Sequence, residues 1–125
     1  MSIAQNISSI LAALKGTAAK LVAVTKTRSV DELQEVYATG LRIFGENRVQ
    51  EMQEKQPQLP ADVQWHLIGH LQSNKVKYIA PYITMIHSVD SLDLLQEINK
   101  HAKKITETFL ACCKFLSLLK KRNLV

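Results

Sequence analysis

The first residue placed to do chemistry is a lysine. In "LVAVTKT", Leu21 to Thr27, four apolar residues in five positions run straight into Lys26. Such a run reads as a strand buried on both faces, and an ammonium group at its end has two explanations. A lysine pointing into a barrel mouth is partly desolvated, which favours the neutral amine. A neutral amine attacks an aldehyde and forms a Schiff base. Alternatively, the side chain snorkels from the strand end into water. Position alone leaves both readings open.

Three more polar clusters follow apolar runs. They are Gly45, Glu46 and Asn47; then Gly69, His70, Gln72 and Asn74; then His87, Ser88 and Asp90. One such cluster is what any strand-to-helix loop looks like. Four of them, one with a lysine directly on a strand end, suggest a site. The plain alternatives stand beside it: Asn47 is also a candidate helix cap, and His70 and Asn74 are also ordinary loop polar groups. "HLIGH" sets His66 and His70 four apart, as on a zinc-protease helix. It lacks the glutamate after the first histidine and carries Gly69 in a strand-like context, so no zinc site is expected. His66 is expected to pack beside Trp65. Neither a P-loop, nor G-x-G-x-x-G, nor G-x-S-x-G is present.

The elements that must position these residues alternate regularly. Ile3, Ile7, Ile10, Leu11 and Leu14 fall at helical spacing, with Gly16 as a C-terminal stop. A strand is expected over residues 21–25. Ser29 and Glu32 form a capping box ahead of Val30, Leu33, Val36 and Tyr37, a helix closed by Gly40. "LRIFG" reads as a second strand, and Asn47 can cap a helix bearing Val49 and Met52. "VQWHLIG" reads as a third strand. Ser73 can cap a short helix with Val76, Ile79 and Ala80 on one face, stopped by Pro81. "TMIHSV" reads as a fourth strand, and Asp90 or Ser91 can cap a helix with Leu94, Leu95 and Ile98. One helix followed by four βα units implies parallel pairing through right-handed crossovers. Two α/β architectures fit: an open doubly wound sheet, or part of a (β/α)8 barrel. A whole barrel takes about 250 residues, and this chain has 125. In both architectures ligands sit at the C-terminal ends of the strands.

Composition narrows the function classes. The chain is long enough for one domain. No run of about 18 apolar residues occurs, so no membrane span is expected. The N-terminus is amphipathic, without the basic start and unbroken apolar core of a signal peptide, and a cytoplasmic location is expected. The net charge of +5 is uneven: residues 1–104 hold twelve Lys/Arg against ten Asp/Glu, whereas residues 105–125 hold four against one. No basic stripe interleaved with aromatics appears, so no nucleic-acid partner is expected. Cys112 and Cys113 are adjacent, without metal or redox spacing, and read as two small apolar residues.

"LVAVTKTRSVDELQEVYATGLRIFGENRVQE" followed by "WHLIGHLQSNKVKYIAPYITMIHSVDS" closely resembles the pyridoxal-phosphate homeostasis proteins, the YggS/PROSC-type family. The resemblance covers roughly residues 3–104. It rests on V-A-V-T-K, F-G-E-N-x-V-Q-E and W-H-x-I-G-x-L-Q-x-N-K, in that order. It implies the fold of fold-type III pyridoxal enzymes, here the N-terminal half of an alanine-racemase-like TIM barrel, α then four βα units. It implies pyridoxal 5′-phosphate (PLP) as cofactor, held as a Schiff base on Lys26. It sets Asn47 on the cofactor side of the second strand, and His70, Asn74 and Ser88 on rim loops near the ring. The implied role is holding and buffering PLP, without metabolic turnover, in a protein that is a monomer in the family. Two alternatives are a racemase- or decarboxylase-like enzyme remnant and a non-functional fragment.

Beyond about residue 104 the likeness stops. "ITETFLACCKFLSLLKKRNLV" does not match the family's fifth strand, yet back-translated and read two nucleotides later Cys112-Cys113-Lys114-Phe115 can become Leu-Leu-Gln-Ile or Leu-Leu-Gln-Val, which does. Residues 105–125 are therefore expected to be a frameshifted, helical tail on a truncated barrel domain of residues 1–104. Such a chain lacks the later strands on which the family holds the cofactor phosphate, so weakened PLP binding is expected, with self-association through open barrel edges.

Overall fold

The computed structural model describes residues 2–104 and 110–113. Ser2 opens the chain with a capping box, its side chain accepting the Gln5 amide while the Gln5 side chain accepts the Ser2 amide. Helix α1 follows over Ile3–Leu14. Of its apolar stripe only Ile7 is buried, and Ile10 and Leu11 stand exposed. Gly16 then leaves the helix at a φ of +85°, a conformation that suits a residue without Cβ.

Strand β1 is Ala23–Val24, two residues where the apolar run predicts five. Ala23 pairs with Phe44 and Val24 with Gly45, and the Thr25 amide still donates to the Gly45 carbonyl at 2.9 Å. The strand is short because only these two residues pair with β2, and Thr27, at a φ of +61°, turns the chain away from extended backbone soon after. Helix α2, Val30–Ala38, starts on the predicted Ser29–Glu32 capping box, buries Leu33 and Val36, and gives way to Gly40 at a φ of +98°. Strand β2 is Ile43–Glu46 and helix α3 is Val49–Lys55. A 3₁₀ turn over Gln56–Gln58 leads to β3, Gln64–Leu67. Ser73 does not cap the next helix, as the spacing predicts; it begins a 3₁₀ turn, Ser73–Lys75, that runs into α4, Val76–Ile79. Strand β4 is Ile83–Val89. Ser91 Oγ accepts the Leu94 amide and so caps α5, Leu92–Lys104.

The last described element corrects the expectation of a helical tail for its own four residues. Leu110–Cys113 form β5, parallel to β4, with Met85 opposite Leu110 and Ile86 opposite Ala111. A short apolar run carries no periodicity that separates strand from helix; the free edge of β4 decides it. The rest of the predicted tail lies outside the described residues.

The sheet is wholly parallel, in the order β1-β2-β3-β4-β5. Each of the first four strands passes through helix to its neighbour, the βα pattern of the sequence. The two faces differ. Phe44 and Trp65, register partners, meet edge to face at 5.8 Å, and with Leu67, Leu33, Met52, Val76 and Ile79 they fill the layer between sheet and helices. Glu46 shares this face. On the other face a Cβ at Gly45 would touch Val22 and Ile68, and Val24 is 53% exposed.

Candidate cofactor site

Lys26 stands immediately past β1, in a turn closed by the Arg28 amide on the Thr25 carbonyl at 3.2 Å. Thr25 is buried, whereas Lys26 and Thr27 are exposed. The expected partial desolvation of Lys26 is therefore not found among the described residues: the turn lifts the side chain off the strand into solvent. Its Nζ has no hydrogen-bond or ion-pair partner among them.

The turn itself is held from behind by buried charge. Lys55 Nζ, on the last turn of α3, donates to the Thr25 carbonyl and to Glu46 Oε1, both at 2.7 Å. The Thr25 hydroxyl donates to the same Glu46 oxygen at 2.6 Å. Glu46 and Lys55 are both buried. Glu51, one helical turn before Lys55, has an oxygen 3.5 Å from the ammonium. Both Glu51 oxygens accept the Thr27 amide, at 3.0 and 2.9 Å. Burial pushes the Glu46 carboxyl above its ordinary value, and the bonds from Lys55 and Thr25 pull it back. Desolvation also pushes Glu51 up, but the Thr27 amide and the Lys55 ammonium outweigh it, leaving that carboxyl below its ordinary value. A charge buried this deeply survives only when paired and hydrogen-bonded.

Nothing local in the sequence singles out Glu51 or Lys55, and Glu46 reads there only as one of the polar residues at the end of the second strand. The i, i+4 spacing of Glu51 and Lys55 reads as a solvated helix pair. Only the register of β2 against α3, which brings Glu46 beneath Lys55, turns that pair inward.

Lys26 and Asn47 come together. Both line a cleft of about 590 Å³, with Arg48, Gln50, Glu51 and Glu54 along its other wall. The capping explanation of Asn47 fails: α3 begins after Arg48, and no side chain caps it. Asn47 is instead fixed by Gly69, where an added Cβ would overlap the Asn47 backbone carbonyl. Only glycine lets the β3–α4 loop approach the β2–α3 loop this closely. His70 lines an adjoining cleft of about 480 Å³ that also touches Asn47 and Arg48, and its Nδ1 lies 3.7 Å from Asp90. Asn74 is exposed in the 3₁₀ turn and lines neither cleft. Ser88 is partly buried on β4, its hydroxyl donating to the Ile68 carbonyl at 3.3 Å.

His66 does not pack beside Trp65 as the sequence predicts, because successive residues of β3 face opposite sides of the sheet: its Nδ1 lies 3.0 Å from His87 Nε2 on the neighbouring strand, while Trp65 meets Phe44. Burial and the nearby His87 hold the His66 imidazole below its ordinary pKa, so one ring donates and the other accepts without a second proton. Among the described residues no three His, Cys, Asp or Glu side chains converge as metal ligands. No described helix is long and apolar enough to cross a membrane.

The chain as a whole, rather than the cleft, matches a known family. The profile of the alanine racemase N-terminal domain covers residues 1–114, and the chain belongs to that family. Within it the chain is similar to the pyridoxal phosphate homeostasis proteins. It is 46% identical over 87 residues to the one from Aquifex aeolicus, covering 69% of this chain and 38% of that protein. With that of Pseudomonas aeruginosa it shares 39% over 110 residues, covering 79% and 47%. PipY of Synechococcus elongatus PCC7942, solved with PLP bound, superposes with a TM-score of 0.83 at 38% identity, covering 89% of this chain and 53% of PipY. PipY solved without PLP gives the same score. The chain thus spans roughly half or less of its relatives' length, and its architecture is that of the alanine-racemase-like, TIM-barrel-like α/β fold.

Proposed function

We propose that the chain binds PLP at the Lys26 cleft and acts in PLP homeostasis as a non-catalytic cytoplasmic carrier. The observation that carries this reading is that Lys26 and Asn47, the residues the family resemblance sets against the cofactor, line one cleft at neighbouring strand ends. The residues present fit the group. The cleft lies within the size range of cofactor sites, and the Lys26 amine is exposed, with no competing partner among the described residues. Lys26 would hold PLP through its amine, by condensation with the aldehyde and release of water. When bound, PLP supplies an electron sink. The chain's own residues bring Lys26 and Asn47 to one cleft. The PLP-bound structure of PipY and the naming of the relatives as homeostasis proteins, rather than as enzymes, support the reading.

His70, on the adjoining cleft, is proposed as an outer rim contact. Ser88, committed to the Ile68 carbonyl, and Asn74, exposed nearby, are proposed only as flanking residues.

The test is a PLP titration followed by borohydride reduction and peptide mapping. We expect a new near-ultraviolet or visible band and a reduced adduct on Lys26, both lost in Lys26→Ala. Identical spectra and adduct yields in the two proteins refute the reading.

A further inference from the structure

The peptide groups on either side of Lys26 are each gripped by a charged side chain of the same helix. The carbonyl preceding Lys26, that of Thr25, accepts Lys55 Nζ at 2.7 Å. The amide following it, that of Thr27, donates to both oxygens of Glu51 at 3.0 and 2.9 Å. The Thr27 hydroxyl donates to the Lys26 carbonyl at 2.6 Å. Lys55 and Glu51 are one turn apart on α3 and paired at 3.5 Å, and Lys55 is anchored in turn on the buried Glu46. Between these two grips only the Lys26 side chain is left to move.

The conformation needs such a hold. Thr27 is the one described residue other than glycine at positive φ, and a β-branched residue there is strained. A turn of that kind persists only where its surroundings over-determine it. A backbone amide bonded to an ionised carboxylate, here one N–H shared between the two oxygens, is a charge-assisted form of such support.

We propose that Glu51 and Lys55 are positioning residues for Lys26: from α3 they clamp the turn that aims its amine into the cleft, and so set its reactivity toward an aldehyde. Glu51 lines the cleft as well, so the clamp reaches the site directly. The inference rests on the reading of Lys26 as the PLP-bearing residue, but the clamp itself can be tested without PLP.

Two readouts separate the two claims. In the absence of PLP, amide hydrogen exchange at Thr27 is followed in wild type, Glu51→Gln and Glu51→Ala. We expect protection in wild type and exchange faster by about tenfold or more in Glu51→Ala, the loss of one charge-assisted hydrogen bond, with Glu51→Gln intermediate. An unprotected wild-type Thr27 amide overturns the clamp whatever PLP does. In the second readout, PLP and borohydride are applied and the ratio of adduct on Lys26 to adduct on the exposed Lys20 is measured by peptide mass spectrometry. We expect a fall of about tenfold in Glu51→Ala with the Lys20 yield unchanged, and a smaller fall in Glu51→Gln, which serves alone if the alanine variant does not fold. A ratio unchanged by either substitution overturns the positioning role. Wild-type chain that modifies Lys26 no faster than Lys20 sinks the PLP reading and, with it, the effect on reactivity; the clamp on the turn is then decided by the exchange result.

Discussion

Two lysines 29 positions apart show how burial divides one side-chain type into two roles. Lys26 is exposed at the cleft, whereas Lys55 is buried and spends its protons on the Thr25 carbonyl and the Glu46 carboxylate. Removing one member of a buried pair strands the other. We therefore expect Lys55→Met to lower stability by about 3–5 kcal/mol, measured by urea unfolding, and the double variant Glu46→Leu/Lys55→Met to regain most of that loss. A Lys55→Met cost below about 1 kcal/mol would show that the pair is not a buried anchor. At this scale the sequence exposed Lys26 and hid its support. The nucleophile is legible because a charge breaking an apolar run is a local anomaly. Glu46 and Lys55 lie nine positions apart on a strand and a helix, and no local pattern says that they touch.

The elements were more readable than their ends. The Ser29–Glu32 capping box, the order of helices and strands, and the stops at Gly16 and Gly40 all follow from local chemistry. The apolar run predicts a longer β1 than forms, because apolar content marks burial while strand length is set by pairing with β2. Asn47 was left between cap and ligand because both readings want the same residue before a helix; the start of α3 after Arg48 resolves it. The glycine that matters most for Asn47 is in another element's loop. We expect Gly69→Ala to cost about 1–3 kcal/mol, as overpacking does, and to displace Asn47 from the Lys26 cleft. Unchanged stability together with an unmoved Asn47 in the variant's structure would show that the close approach of the two loops is not required.

Over the whole molecule, buried titratable groups couple stability to pH with opposite signs. The folded-state pKa of His66 is depressed, so the unfolded chain binds the proton more readily. Its contribution is intact above the ordinary histidine value of 6.5 and is lost as pH falls through that value toward the folded one. Glu51 acts in the same direction below 4.5. Glu46, with its pKa raised, favours the folded state at low pH and loses that contribution as pH rises from 4.5. The informative comparison is therefore wild type against His66→Gln. We expect wild type to lose more stability between about pH 7.5 and 5.5 than the variant does, read as the shift in urea midpoint. Parallel curves would remove His66 as the cause. The sheet has a further consequence at this scale. Its strands lie side by side in the order in which they occur along the chain. During synthesis from the N-terminus, each strand leaving the ribosome meets an edge that its predecessor has already built. Assembly can follow translation step by step: every strand after the first finds one of its neighbours already made.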